Sequence, residues 1–320
     1  MKAAVLHELG QTPRFEQFPD PVPGDGEVLV EMRAAGLHPI VKSLASGKHY
    51  GSTNDVPFIV GVDGVGVLED GKRVYCGAAR KPYGTMSERT VVPKSMCLPL
   101  PDGLDSDVAA AMANPGMSAW LSLTWRAQIV PGETVLILGA TGVAGQLAVQ
   151  MAKQLGAARI IAAGRNEEML KRLKTLGADV TIQLEQPDAD LIEAFAQEAK
   201  AGGIDVVVDY LWGRPTEAFI QAISQRGLDH KAKRVRLVEV GASAGNTITL
   251  PAAVLRSSGL EINGSGFGSA SLDQILKAIP EFFAIAAQGK LSIEKETVPL
   301  EQIEEAWTRK GDGSRLVVKL

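Results

Sequence analysis

The chain has 320 residues, of which 45% are hydrophobic and 22% charged, and its formal net charge is −4 at pH 7. A length of this order predicts about two domains with a large core. The small negative charge provides no basic field for nucleic acid, and no stretch of about 18 apolar residues predicts a membrane span.

The cysteine content and the N-terminus bear on the compartment. Cys76 and Cys97 are the two cysteines and form no CxxC pair, which excludes a disulfide framework and a structural zinc lobe held by thiolates. We interpret both as buried thiols in a reducing compartment. The N-terminal apolar run is too short for a signal peptide and Glu8 interrupts it, so we expect a cytoplasmic protein.

The N-terminal third predicts an irregular, mostly β domain, because short apolar runs alternate there with Pro and Gly turns. The predicted strands are 2–6, 27–33, 64–68, 73–76 and 90–92. Two helical segments follow, 107–112 and 118–123, with Pro115 and Gly116 between them.

From residue 134 onwards, apolar strands alternate with helical segments. The predicted strands are 134–138, 159–162, 180–182, 204–209, 235–240 and 260–263. This alternation predicts a doubly wound α/β sheet with parallel strands. The last stretch predicts helices over 272–288 and 300–310 and a strand over 315–319, which return to the first domain.

A glycine-rich turn joins the strand over 134–138 to the helix that follows it. Glycines in such a turn let backbone N–H groups approach a pyrophosphate, and the helix N-terminus adds its positive dipole end. Because a strand precedes the motif and a helix follows it, the pattern predicts a dinucleotide site. The residues assigned to it are Gly139, Thr141, Gly142, Val143 and Gly145.

The end of the next strand indicates which dinucleotide binds. An NAD site would carry an acid there for the ribose 2′-hydroxyl. Here the strand is followed by Gly164, Arg165 and Asn166. A guanidinium can pair bidentately with a 2′-phosphate, so we predict NADPH as the cofactor, bound by these residues. The alternative is a solvent-facing arginine on a loop.

Six motifs occur in a specific order and spacing along nearly the whole chain. They are PFIVGVDGVG (57–66), GMSAW (116–120), VLILGATGVAG (135–145), LGAD (176–179), INGS (262–265) and VPLEQIEEAW (298–307). With them the chain resembles the medium-chain dehydrogenase/reductase superfamily, in its zinc-independent, quinone oxidoreductase-like branch.

The resemblance implies an α/β fold with a GroES-like β-rich catalytic domain and a Rossmann doubly wound parallel sheet. The catalytic domain would comprise residues 1–115 and 263–320, and the NADP-binding domain residues 116–262. A homodimer is also implied. The residues that the resemblance places around the nicotinamide are Ser118, Gly241, Ala242, Ser243, Ser265, Gly266 and Phe267.

The resemblance places the zinc ligands of the superfamily at His38, Val62 and Asn114. These three side chains cannot form the usual three-ligand zinc site, so we predict that no metal is bound. A residual metal site through His38 and Asp63 is the alternative. Zinc-free relatives carry asparagine at the position of His38 and tyrosine at that of Ser43, and both are replaced here.

The function that the resemblance implies is hydride transfer from NADPH to a small molecule, either a quinone or an α,β-unsaturated carbonyl. Without zinc, hydrogen-bond donors must stabilise the developing oxyanion, and His38 and Tyr50 are the catalytic candidates. One alternative is an alcohol dehydrogenase-like enzyme with a residual metal site. Another is a non-catalytic NADPH-binding protein of the sensor or crystallin type. A short-chain reductase is disfavoured, since no tyrosine has a lysine four residues on.

Overall fold

The structure is a computed structural model that describes residues 1–224, 232–266, 268–309 and 313–320. The chain forms two compact units. The first comprises Met1–Met117 and Leu276–Leu320, and the second comprises Ser118–Ile275. No helix in the described part of the chain is long and apolar enough to cross a membrane.

The first unit is built largely from antiparallel strands. Its strands are β1 (Lys2–Leu6), β2 (Arg14–Gln17), β3 (Glu27–Gly36), β4 (Phe58–Ile59), β5 (Asp63–Val67), β6 (Arg73–Gly77), β7 (Arg89–Pro93), β8 (Cys97–Pro99), β15 (Lys295–Pro299) and β16 (Arg315–Lys319). One sheet has the order β2-β1-β4, and the other the order β15-β16-β3-β5-β6-β8, with β7 paired to β3. The five strands predicted for the N-terminal third are confirmed.

Strand β3 organises the larger sheet, because it pairs with β5, β7 and β16. The register shifts between Met32 and Ala34, which marks a bulge in the strand. β3 ends at Gly36, and helix α1 (Pro39–Ala45) begins directly after Leu37 and His38. A side chain at position 36 would collide with the imidazole of His38, so glycine is required there.

Helix α2 (Ser106–Leu121) is continuous, and the predicted break at Pro115 and Gly116 was wrong. The buried alanines of the stretch 109–113 stabilise the helix by packing, and this stabilisation outweighs the helix-breaking tendency of Pro115. A Cβ at position 116 would lie 2.9 Å from the ring of Phe282, so the glycine lets the helix approach this ring closely. A π-helical turn, Ser122–Arg126, follows.

The second unit contains a six-stranded parallel sheet. Its strands are β9 (Thr134–Leu138), β10 (Arg159–Gly164), β11 (Val180–Gln183), β12 (Val206–Asp209), β13 (Val235–Glu239) and β14 (Leu260–Gly264). Their order is β11-β10-β9-β12-β13-β14, which is the Rossmann order. All five residues of β9 are buried. The predicted doubly wound parallel sheet is confirmed.

Helices connect the strands of this sheet or follow it. They are α3 (Val143–Gln154), α4 (Glu167–Leu176), α5 (Asp188–Ala201), α6 (Gly213–Ile223), α7 (Ala252–Ser257) and α8 (Leu272–Ala287). The second unit extends beyond residue 262, where the sequence placed a domain boundary, because β14 pairs with β13 up to Gly264. The loop that follows is also held within this unit, since Arg126 donates a hydrogen bond to the carbonyl of Ser269.

The C-terminal stretch combines β15 and β16 in a parallel pair with a short helical segment between them. The helix predicted over 300–310 is a 3-10 turn (Leu300–Gln302) followed by helix α9 (Ile303–Thr308). Lys310, at the end of the predicted helix, lies outside the described residues. Burial of Leu300, Ile303 and Ala306 anchors this segment in the core of the first unit.

Candidate functional site

The glycine turn after β9 brings helix α3 against the end of the strand. Gly139 has a φ of 86°, and a Cβ there would lie 3.1 Å from Leu211. At Gly145 a Cβ would collide with the carbonyl oxygen of Gly139 and would lie 2.5 Å from the Cα of Ala140. The protein fold therefore requires both glycines: Gly139 because of its positive φ, and Gly145 because of the close packing around it.

Gly142 differs from both, because the protein leaves room for a side chain there. It is the N-cap of α3, with an ordinary φ of −77°, and no side chain caps the helix. The nearest atom to an added Cβ is the carbonyl oxygen of Gly139, at 3.5 Å. The residue is exposed. Uncapped N–H groups beside open space at a helix N-terminus suit a phosphate, so the turn fits a dinucleotide pyrophosphate.

Strand β10 ends next to this turn. Gly164 is buried, and a Cβ there would collide with the side chain of Thr141. Asn166 caps α4, since its Oδ1 accepts a 3.0 Å hydrogen bond from the N–H of Met169. Arg165 is exposed between them, and within the described part of the chain no carboxylate pairs with its guanidinium. A free cation therefore stands where an acid would contact a ribose 2′-hydroxyl.

Asp209, at the end of β12, is a fully buried carboxylate that the sequence analysis missed. Its Oδ1 accepts hydrogen bonds from the N–H groups of Leu211 (2.9 Å) and Trp212 (3.0 Å), and its Oδ2 accepts one from Thr216. Burial raises its pKa, and these hydrogen bonds oppose that shift. The carboxylate fixes the turn that packs against Gly139. The sequence signal that could have identified Asp209 is an acidic residue directly after three valines at the end of a predicted strand.

The segments after β13 and β14 contain the other predicted cofactor residues. The hydroxyl and N–H of Ser243 both donate to the carbonyl of Tyr210, and the N–H of Ser265 donates to the carbonyl of Glu239. Ala242 and Gly266 are exposed at the same carboxyl edge of the sheet. Phe267 lies outside the described residues.

Gly241, Ser118 and Val143 complete the predicted cofactor set. The N–H of Gly241 donates to the carbonyl of Asp209, and a Cβ on this glycine would lie 3.3 Å from the carbonyl oxygen of Tyr210. Ser118 is half-buried and lies beside the phenol of Tyr210. Burial raises the pKa of Tyr210, and the hydroxyl of Ser118 opposes that shift in part. Val143 is the first residue of α3. The structure thus gathers the Gly139, Tyr210 and Gly241 turns at one edge of the sheet.

In the first unit, His38 belongs to a buried polar cluster. Its Nε2 lies 3.3 Å from Oδ1 of Asp63, and its side chain is fully enclosed. The hydroxyl of Tyr75 donates a 2.9 Å hydrogen bond to Oδ2 of Asp63. Arg315 donates to the carbonyl of Leu37 and is also buried. The sequence analysis named His38 and Asp63 but missed Tyr75, on the strand next to that of Asp63, and Arg315, on β16 near the end of the chain.

The electrostatics of this cluster favour a neutral imidazole. Burial lowers the pKa of His38, and attraction to Asp63 only partly opposes the shift. Burial also lowers the pKa of Arg315 to about 10, again with Asp63 opposing. The pKa of Tyr75 is raised well above its usual range, first by burial and then by Asp63. Asp63 thus accepts a hydrogen bond from the phenol of Tyr75, and its charge acts on the guanidinium of Arg315 and on the imidazole of His38.

The second catalytic candidate, Tyr50, lies in a different environment. Its side chain is 75% exposed, and its ring packs on that of His49 with centroids 4.1 Å apart. Val62 and Asn114 are half-buried. Among the described residues, no group of three or more His, Cys, Asp or Glu side chains could hold a metal ion.

Comparison with known proteins identifies the family. The family model of the alcohol dehydrogenase GroES-like domain matches residues 24–102, and that of the zinc-binding dehydrogenases matches residues 143–283. A probable NADPH-dependent quinone reductase of Emericella nidulans is 26% identical over 352 aligned positions, which cover 96% of each chain.

Two solved structures have the same fold over 100% of both chains. A mycobacterial quinone oxidoreductase superposes with a TM-score of 0.86 at 22% identity. The quinone oxidoreductase of Thermus thermophilus, also solved with NADPH, superposes with a TM-score of 0.78 at 29% identity. The chain therefore belongs to the medium-chain dehydrogenase/reductase superfamily, in its quinone oxidoreductase-like branch. It is an oxidoreductase with a GroES-like domain, as predicted.

The open space at Gly142 gives a direct test of the phosphate site. We expect Gly142→Ala to leave the melting temperature unchanged, because φ is ordinary and the protein has room for the methyl group. Dinucleotide affinity should fall about tenfold, since the methyl group takes the space of a phosphate. Thermal melting and a fluorescence titration with the dinucleotide measure the two effects.

The matched control for this prediction is Gly202→Ala, at a glycine with extended backbone and nothing within 4 Å of an added Cβ. It should change neither quantity. Wild-type affinity in Gly142→Ala would show that the phosphates bind elsewhere.

The lowered pKa of His38 predicts how stability depends on pH. Between the folded pKa and the ordinary value of 6.5, the unfolded chain binds more protons, so stability falls as pH is lowered through this window. We expect the loss of stability from pH 7 to pH 5 to be smaller in His38→Asn than in wild type. Denaturant unfolding at several pH values measures this, and an equal dependence of stability on pH in the two proteins would contradict it.

Proposed function

We propose that the protein is a cytoplasmic, zinc-independent, NADPH-dependent reductase of quinones or α,β-unsaturated carbonyls that acts as a homodimer. The observation that carries the proposal is the open phosphate cradle at Gly142, with the exposed, unpaired Arg165 on the neighbouring strand end. The similarity to the Emericella nidulans and Thermus thermophilus proteins supports the same cofactor and reaction class.

The second unit would hold the cofactor through its own backbone and one cation. N–H groups at the start of α3 would bind the pyrophosphate, and Arg165 would pair with the 2′-phosphate. The partly exposed segments at 241–243 and 265–266 would contact the nicotinamide, with Ser118 beside them. NADPH, when bound, supplies a hydride.

Residues of the first unit would act on the substrate. Tyr50 is exposed, and its hydroxyl is of a type that can donate a hydrogen bond to a substrate oxygen. His38 is enclosed, and its lowered pKa makes it a neutral donor near neutral pH. Quinones require little proton transfer during hydride transfer, so they suit a site without a strong acid. Val62 and Asn114 in place of zinc ligands support a reaction without metal.

The test of the reaction class is NADPH oxidation by the purified protein with a panel of quinones, enones and simple aldehydes, with elemental analysis of the same sample. Turnover of quinones or enones by protein without zinc is the expected outcome. Turnover confined to alcohols and aldehydes, with one equivalent of zinc and loss of activity on chelation, would refute the proposal. Binding of NADPH without turnover of any acceptor would favour a sensor or crystallin-like role.

Cofactor preference depends on Arg165. We expect wild type to prefer NADPH, and Arg165→Ala to raise the Kd for NADPH about tenfold while leaving that for NADH nearly unchanged, because a charge-assisted pair with the 2′-phosphate is lost. The control is Arg256→Ala, an exposed arginine of the same unit, which should change neither. An unchanged ratio of the two affinities in Arg165→Ala would refute the assignment.

The two catalytic candidates are separated by His38→Asn and Tyr50→Phe, each assayed with an enone and a quinone across pH. Loss of an oxyanion donor should lower kcat about tenfold, or about 1.4 kcal/mol, with little change in KM for NADPH. If His38 delivers a proton, the enone rate of wild type should fall as pH rises through its pKa, and the His38→Asn rate should not. Unchanged kcat and pH profile in His38→Asn would make His38 a packing residue and leave Tyr50 as the candidate.

A further inference from the structure

The two cysteines of the chain lie directly opposite each other on neighbouring antiparallel strands. Strand β6 pairs with β8, and the register aligns Val74 with Pro99, Tyr75 with Leu98, and Cys76 with Cys97. Directly paired residues of an antiparallel ladder point to the same face of the sheet. Cys76 is part of a buried cluster with Met32 and Val74, and Cys97 packs against that cluster.

The hydrogen-bond pattern shows which kind of pair the cysteines form. The N–H of Leu100 donates a 3.0 Å hydrogen bond to the carbonyl of Arg73, so these residues are a hydrogen-bonded pair of the same register. Pair types alternate along an antiparallel ladder, which makes Cys76 and Cys97 a non-hydrogen-bonded pair. The proline at position 99, which has no N–H, occupies another such pair.

Non-hydrogen-bonded pairs bring the two strands closest together. Their Cα atoms are about 4.5 Å apart and their Cβ atoms about 4.5–5.5 Å apart. A disulfide needs Cα atoms about 4.4–6.8 Å apart and Cβ atoms about 3.5–4.5 Å apart. A pair of this kind thus meets the Cα requirement, and the two Cβ ranges meet at about 4.5 Å, so rotation of the two side chains and a small shift of the strands towards each other close the bond. Both thiols are free in the structure.

We propose that Cys76 and Cys97 are a redox modification site that closes to a cross-strand disulfide under oxidation by a peroxide. The Cys97 thiolate attacks one peroxide oxygen, the O–O bond breaks, and a sulfenic acid and water form. The Cys76 sulfur then attacks the sulfenic sulfur, an S–S bond forms, and a second water leaves with the thiol proton. Two thiols are oxidised to one disulfide, and one hydrogen peroxide is reduced to two waters.

The environments of the two thiols assign these roles. Cys76 is fully enclosed, whereas Cys97 is half-buried and is the sulfur that an oxidant reaches. Burial raises the pKa of Cys97 to about 11, and it raises that of Cys76 further. Only a small fraction of Cys97 is thiolate near pH 7, so the reduced pair persists under ordinary conditions and closes under oxidative stress. This inference does not depend on the proposed reductase activity.

The experiment uses the full chain, folded, treated with hydrogen peroxide and then digested with trypsin after blocking of free thiols. Arg80, Arg89 and Lys94 separate the two cysteines, so a disulfide joins two tryptic peptides. We expect the intact mass to fall by two hydrogen atoms, the joined peptides to appear, and a thiol reductant to separate them. The rate of disulfide formation should rise about tenfold per pH unit from pH 7 to pH 9, because the fraction of Cys97 present as thiolate rises by the same factor.

The matched variant is Cys97→Ser, which keeps the size and the half-buried setting and should show no joined peptides and no loss of mass. Near-ultraviolet circular dichroism before and after treatment checks that wild type stays folded. Wild type that stays folded but only gains oxygen atoms, or links two chains through Cys97, would overturn the proposal. So would a rate of closure that does not change with pH.

Discussion

The candidate cofactor site depends on one steric constraint, the contact between the start of helix α3 and the end of strand β9. Because Gly145 has no side chain, the helix can lie close enough to the strand for its first N–H groups to reach the carboxyl edge of the sheet. Burial of all five residues of β9 holds the strand in place, each apolar side chain contributing about 1.5–3 kcal/mol. The packing of the core therefore fixes where the positive end of the helix points.

The same edge also contains a buried negative charge, which limits what can bind there. Asp209 directs its oxygens at two N–H groups of its own turn and at the hydroxyl of Thr216 in helix α6, so its hydrogen-bonding capacity is used inside the protein. An inward-facing carboxylate leaves the uncapped helix N-terminus and Arg165 as the charges that face an anionic ligand. Glu239, on the next strand, has its pKa raised by burial and by the charge of Asp209.

The sequence predicted the parallel sheet and its glycine turn well, because the signals are local. An apolar strand, three glycines and a helix follow one another within residues 134–154, and each step has one physical interpretation. The continuous helix α2 was missed because the packing of Phe282 on Gly116 joins residues far apart in the chain. Arg315 was missed for the same reason, whereas Tyr75 lies on β6, the strand next to that of Asp63. No local pattern shows that they share a buried carboxylate with His38.

The cluster around Asp63 explains how a histidine is accommodated at position 38, where the resemblance implies asparagine in zinc-free relatives. A buried carboxylate is costly unless charges or donors compensate it. Tyr75 donates to one oxygen and Arg315 supplies a nearby positive charge, so compensation does not require a charged His38. Burial then determines the protonation state of the imidazole, and it favours the neutral form. A neutral imidazole and a neutral carboxamide are alike in charge and in their capacity to donate a hydrogen bond. The replacement therefore preserves the electrostatic balance of the cluster and adds a group that can take up a proton when the pH falls.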